Sequence, residues 1–178
     1  VDALHEVRIV GLVPSNSGIA VFLGNEEKTF SIHVDHGVGT NIAILLKGEK
    51  RERPLTHDLI GMVFQSFGIT VERIVINDLR NDTYFARITL KARNEIHNKI
   101  TEIDARPSDC LAIALQTEKP VFVAEKVWSQ VSDLSALLEQ MKEKMEEGES
   151  VDGSEDDDSP GMDDDTGEDD EDDGGEDK

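Results

Sequence analysis

From the N-terminus, apolar and polar positions change period several times. Val7 to Leu12 alternates weakly, Ile19 to Leu23 is mostly apolar, and Thr29 to Val34 places Phe30, Ile32 and Val34 on one face. Such runs predict three strands. The stretches between them, Pro14 to Gly18 and Gly24 to Lys28, are turn chemistry, with Gly18 free to take positive φ. At Gly37 the spacing becomes helical. Val38, Ile42, Ile44, Leu45 and Leu46 predict a buried helix ending at Gly48.

A charged loop, Glu49 to Arg53, leads into a second helix. Thr56 is the expected N-cap, with Leu55 and Ile60 as a hydrophobic staple. Leu59, Ile60, Val63, Phe64 and Phe67 form its stripe, and Gly68 is the expected left-handed stop. His57 and Asp58 fall in the first turn, off that stripe. Val71 to Asn77 and Thr83 to Ala92 predict a hairpin across Asp78–Asp82. Arg93 to His97 is a polar connection, and Ile100 to Ile103 is a further strand. Pro120 to Ala124 predicts a short strand with its proline at the tolerated first position. Val127 and Trp128 begin the final segment. Leu134, Leu137, Leu138, Met141 and Met145 then recur at helical spacing, after a cap at Ser132 or Asp133.

The stretch from Glu102 to Gln116 organises the rest. A strand turns directly into a helix, and Pro107 suits the first helical position because it needs no N–H partner. Ser108 and Asp109 follow in the first turn, where oxygens and negative charge complement the helix dipole. Cys110 to Leu115 is apolar on every side, which predicts a buried helix packed closely through Ala112 and Ala114. Two readings of its polar mouth stand. In one, an Asp104–Arg106 or Arg106–Asp109 ion pair locks the corner of a capped helix. In the other, the carboxylates hold a hard cation while the planar fork of Arg106 takes a phosphate.

The order strand, turn, strand, loop, strand, helix describes Val7–Lys47 and again Val71–Gln116. Ile32 to Val38 then lies over Ile103 to Asp109, which puts His33, Asp35 and His36 at the equivalent turn. The expected fold is α+β. Duplicated β-β-β-α units form mostly antiparallel sheet packed with helices, followed by an amphipathic helix and an acidic tail. The expected divisions are residues 1–131, 132–147 and 148–178.

Charge changes the picture of the tail only. The chain has 178 residues and a net charge of −21. From Glu146 onward 19 acids face one lysine, so the rest is only −3. The tail has Val151 and Met162 as its strong hydrophobes, too few to offset chain entropy, and disorder is expected from about Gly148. No apolar run reaches the ~20 residues of a membrane span. The N-terminus lacks a secretion-signal pattern, and the single Cys110 has no partner for an internal disulfide. A cytoplasmic protein is the expectation.

Asp104-Ala-Arg-Pro-Ser-Asp109, a small-residue helix, and Pro120-Val-Phe-Val-Ala-Glu-Lys-Val127 together resemble the signature of the bifunctional nuclease domain family. Arg53-Pro-Leu-Thr-His-Asp-Leu59 matches the same family upstream. Arg73-Ile-Val-Ile-Asn-Asp-Leu79 and Thr83-Tyr-Phe-Ala-Arg-Ile88 fit between them. The likeness covers roughly Val7 to Val131. It implies metal-assisted cleavage of DNA and RNA.

Under that reading Asp104 and Asp109 are the expected ligands of a divalent metal, Mg²⁺ for oxygen donors. His57 is the expected general base with Asp58 beside it, and Arg106 clamps the phosphate. The alternative is a non-catalytic protein- or ligand-binding module whose Asp/Arg motif is a structural corner. A near-neutral body without a basic and aromatic stripe favours the module, because phosphate neutralisation dominates nucleic-acid affinity. Homo-oligomerisation through the Leu134–Met145 helix is a further expectation, alongside packing of that helix on its own sheet.

Overall fold

A computed structural model of the chain describes residues 3–49, 52–93 and 98–149, with side chains on the last helix as far as Met145. Two antiparallel meanders build the sheet. The first is β1 (Leu4–Ser15), β2 (Gly18–Gly24) and β3 (Thr29–Val34), followed by α1 (His36–Lys47). Next come α2 (Thr56–Ser66) and the second meander, β4 (Ile69–Arg80), β5 (Thr83–Arg93) and β6 (Asn98–Ala105), followed by α3 (Pro107–Thr117). β7 (Val121–Ala124), α4 (Glu125–Trp128) and α5 (Ser135–Glu149) complete the described chain. The strand order is β3-β2-β1-β7-β4-β5-β6. Every pairing is antiparallel except β4 with β7. The fold is therefore α+β on a mixed seven-stranded sheet.

The turns explain the register. Gly18, at φ 154, opens the β1–β2 hairpin where a Cβ would stand 2.1 Å from the Val34 carbonyl oxygen. Asn81 and Asp82 both take positive φ (48 and 59), the left-handed pair that joins strands through two residues. β4 thus runs on to Arg80, three residues beyond the predicted end, because Asp78 and Leu79 pair with Phe85 and Tyr84. Gly48 and Gly68 take left-handed φ after α1 and α2, as their positions predicted.

The core forms where helices cover the sheet. Ile74, Ile76, Ala86, Ile88, Val121 and Val123 share one buried face and belong to the same cluster as Leu111, Ala112 and Ile113 of α3. In α3, Cys110, Leu111, Ala112, Ile113 and Ala114 are all buried, as the continuous apolar run predicted. α1 and α2 both pack against it, so its side away from the sheet is covered too.

Four local expectations change. Leu55, not Thr56, precedes α2, and Asp58 accepts a hydrogen bond from the Leu55 N–H at 2.7 Å. The predicted α2 stripe splits: Ile60 and Phe64 pack on the core, while Leu59, Val63 and Phe67 face outward. The segment after β7 is two helices, with Val127 and Trp128 buried in the first and Asp133 bonding to the N–H groups of Thr29 and Ser135 before the second. Of the predicted apolar stripe on α5, Leu138 alone is buried among the described residues, against Gly11 of β1. The expected acidic tail falls almost wholly outside the described residues, which reach Glu149 on α5.

Candidate functional site

The N-terminal ends of α1, α2 and α3 meet at one corner. β6 delivers the chain to it, and Arg106 takes extended backbone angles as the residue before α3, with Pro107 at the first helical position. Arg106 grips Asp109 with two bonds, from Nε to Oδ2 at 2.7 Å and from Nη2 to Oδ1 at 3.1 Å. This is the fork geometry that makes arginine–carboxylate pairs directional. Behind it, His57 Nε2 stands 3.1 Å from Asp109 Oδ1.

Asn41 closes the line from the interior. Its side-chain amide nitrogen lies 3.0 Å from His57 Nδ1. An amide N–H donating to Nδ1 leaves the ring proton on Nε2, which donates to Asp109. Both His57 and Asn41 are buried. A chain of polar contacts therefore runs Asn41, His57, Asp109, Arg106 from the core to the surface, where the guanidinium is exposed. Burial raises the Asp109 pKa, but the hydrogen bonds from Arg106 and His57 and the charge of Arg106 outweigh it. The carboxyl is held below its ordinary value.

Asp35 joins from the turn between β3 and α1. It caps α1 by accepting from the Val38 N–H at 3.0 Å, and its other oxygen lies 3.9 Å from Arg106 Nη1. Arg106 opens onto a cleft of about 590 Å³ whose walls include His33, Asp35, Asp82, Tyr84 and Ser108. Burial, with a smaller effect from Asp82, raises the Tyr84 hydroxyl above its ordinary pKa.

Of the five residues expected from sequence, three converge: His57, Arg106 and Asp109. Asp58 is one position beyond His57 but serves the start of α2 and borders a separate groove with Leu45, Pro54 and Met62. Asp104 is exposed near the end of β6, opposite Arg87 in register. No hydrogen bond or ion pair joins it to Asp109 or Arg106 among the described residues. The expected two-carboxylate ligand set is thus not assembled in this arrangement. Both Asp109 oxygens are engaged by Arg106 and His57, and no group of three or more His, Cys, Asp or Glu among the described residues is placed to hold a metal ion.

Asn41 is the residue that sequence reasoning missed. Its signal was a lone amide beside Ile42 on the face of α1 that the hydrophobic spacing turns inward. A buried amide there needs a partner, and His57 is one.

A family model for the bifunctional nuclease domain matches residues 21–135. Two uncharacterized proteins of Mycobacterium tuberculosis, from strains CDC 1551 and H37Rv, are each 31% identical to this chain over 131 residues. Each alignment spans 71% of this chain and 76% of the relative.

Proposed function

This chain belongs to the bifunctional nuclease domain family, and on that premise we propose that it binds and hydrolyses phosphodiesters of DNA or RNA at the Arg106–Asp109 corner. The observation that carries the reading is the exposed, carboxylate-held guanidinium at the mouth of the cleft, with a buried histidine behind it. Asp109 holds the Arg106 guanidinium at the mouth of the cleft, where a phosphate can take the donor fork over from the carboxylate. The α3 N-terminus, with Ser108 beside it, adds positive potential at the same point.

His57 acts here as a positioning residue, because Asn41 and Asp109 occupy both ring nitrogens. The base is Asp109. When Arg106 turns from the carboxylate to the phosphate, Oδ2 is released to accept a proton from the attacking water. The water oxygen bonds to phosphorus, the ester P–O bond breaks, and the leaving oxygen takes a proton from solvent. His57 keeps Oδ1 and stabilises the carboxyl's orientation throughout. No step is routed through a metal here, since the donors among the described residues do not form a ligand set.

A second reading is favoured by the same bidentate pair, which is complete without any ligand: a non-catalytic binding module with a structural corner at Arg106–Asp109. The test is cleavage of fluorescent single-stranded DNA and RNA by the full chain, with Arg106→Ala and Asp109→Asn beside it. The nuclease reading expects losses of roughly 100-fold or more in both variants at unchanged circular dichroism. Binding without cleavage by wild type selects the module. Neither binding nor cleavage removes nucleic acid from the account. Cleavage that EDTA abolishes would restore a divalent ion to the site and require Arg106 to leave Asp109.

A further inference from the structure

Three elements wall the cleft onto which Arg106 opens. The end of β3 gives His33 and Asp35, the turn into β5 gives Asp82 and Tyr84, and the start of α3 gives Arg106 and Ser108. At about 590 Å³ it has the size of a small-ligand site. Its acids are not equivalent. Asp109 is bonded to Arg106, and Asp35 caps α1 while lying 3.9 Å from the same guanidinium. Among the described residues, no hydrogen bond or ion pair engages the Asp82 side chain. Its charge instead reaches the Tyr84 hydroxyl, whose pKa it raises in addition to burial.

An unspent carboxylate repels a phosphate, so Asp82 serves a different part of a nucleotide. We infer that Asp82 reads guanine in a single strand, accepting the N1–H and N2–H groups of the base while the phosphate lies on Arg106. This rests on the reading of Arg106 as the phosphate seat.

The choice of base follows from the donors each one offers. Guanine carries two adjacent N–H donors on its pairing edge, a match for the two oxygens of one carboxylate. Uracil and thymine offer one N–H between two carbonyl oxygens, which the carboxylate repels. Adenine and cytosine set their amine beside a ring nitrogen that only accepts. That edge is free only in an unpaired strand, which makes single-stranded nucleic acid the substrate class. Tyr84 and His33 supply ring faces on the same walls, with His33 Nε2 3.2 Å from Ser17 Oγ. Ring faces hold any base, so the selection falls to Asp82.

The test is calorimetric titration of the full chain with the 5′-monophosphates of guanosine, inosine, adenosine, cytidine and uridine. Inosine is guanosine without the N2 amine, so it removes one of the two bonds without touching the protein. Asp82→Asn is the matching variant. Asparagine tolerates the left-handed backbone of this turn (φ 59 at Asp82) and replaces one acceptor oxygen by a donor. Circular dichroism checks that its fold is kept.

Wild type should bind the guanosine nucleotide roughly 10-fold more tightly than each of the other four. In Asp82→Asn that preference should vanish, with guanosine no better than inosine. Arg106→Ala should weaken all five alike. Equal affinities in wild type, a guanosine preference that survives Asp82→Asn, or no binding at millimolar nucleotide would each overturn the inference. Strand cleavage with equal affinity for the five would sink the guanine reading and leave the nuclease reading standing. Guanosine selection through Asp82 without cleavage would uphold it and remove hydrolysis.

Discussion

His57 and Asp109, 52 residues apart in the chain, meet at 3.1 Å between Nε2 and Oδ1. The contact joins the first turn of α2 to the first turn of α3, and Asn41 extends it to α1. Three helices that the chain produces separately are tied at one end by one buried ring. His57→Ala removes both bonds, so the Asn41 amide and Asp109 Oδ1 each lose one buried contact. The expected cost is roughly 1–3 kcal/mol of folding stability, measured by urea denaturation. A neutral result would mean that the ring does not tie the helices.

Asp109 makes that corner pH-dependent with a definite sign. Its carboxyl is held below the ordinary value of 3.8, so the folded state binds its proton more weakly than the unfolded chain does. The contribution is fully present above the unfolded value and is lost as pH falls through the lower native one. The stability difference between wild type and Asp109→Asn should therefore be flat from about pH 7 to pH 5 and shrink toward zero below about pH 4. Urea unfolding at a series of pH values measures it. A difference that grows on acidification would contradict the depressed carboxyl.

Cys110 is the next residue along and behaves oppositely. Burial first, then the negative charges of Asp109 and Asp104, push its thiol up to about 12. Thiolate is the reactive form, so native protein at pH 8 should resist iodoacetamide, and unfolded protein should alkylate readily. Mass spectrometry of the two states, with and without urea, reads this directly. Rapid alkylation of the native chain would place Cys110 at a surface.

The negative charge of the C-terminus should weaken binding to a polyanion. Removing residues 150–178 takes away 16 acids and one lysine. Melting temperature should stay nearly constant, and binding to single-stranded DNA should tighten at low salt. The gain should fade as salt approaches ~0.15 M, where charges more than about 8 Å apart are largely screened. Fluorescence anisotropy across salt concentrations checks this. A large drop in melting temperature would show that the segment contributes to the fold.

Much of the framework was legible because local signals agreed with one another. The β3 bounds, Thr29 to Val34, match the expectation, and α3 begins at the Pro107 that its rigid φ favours. What escaped was set by neighbours distant in sequence. Spacing alone puts the α2 stripe on one face, but its residues divide by whether α3 and β4 reach them, which spacing within α2 does not encode. His57 looked like a first-turn polar residue and is buried, because Asn41 and Asp109 arrive from other elements. Asp104 and Asp109 share a motif six residues long. Yet one stands on an edge strand and the other inside a helix turn, so closeness in sequence did not make them a pair.

The place of β7 has a consequence for biosynthesis. This four-residue strand lies at the centre of the sheet, with Leu4–Val7 of β1 on one side and Ile74–Ile76 of β4 on the other. Among the described residues it is also the last strand to leave the ribosome. Until Val121 to Ala124 emerge, both meanders wait with an unpaired backbone edge, and a nascent chain stalled before that point is two sticky halves with no keystone.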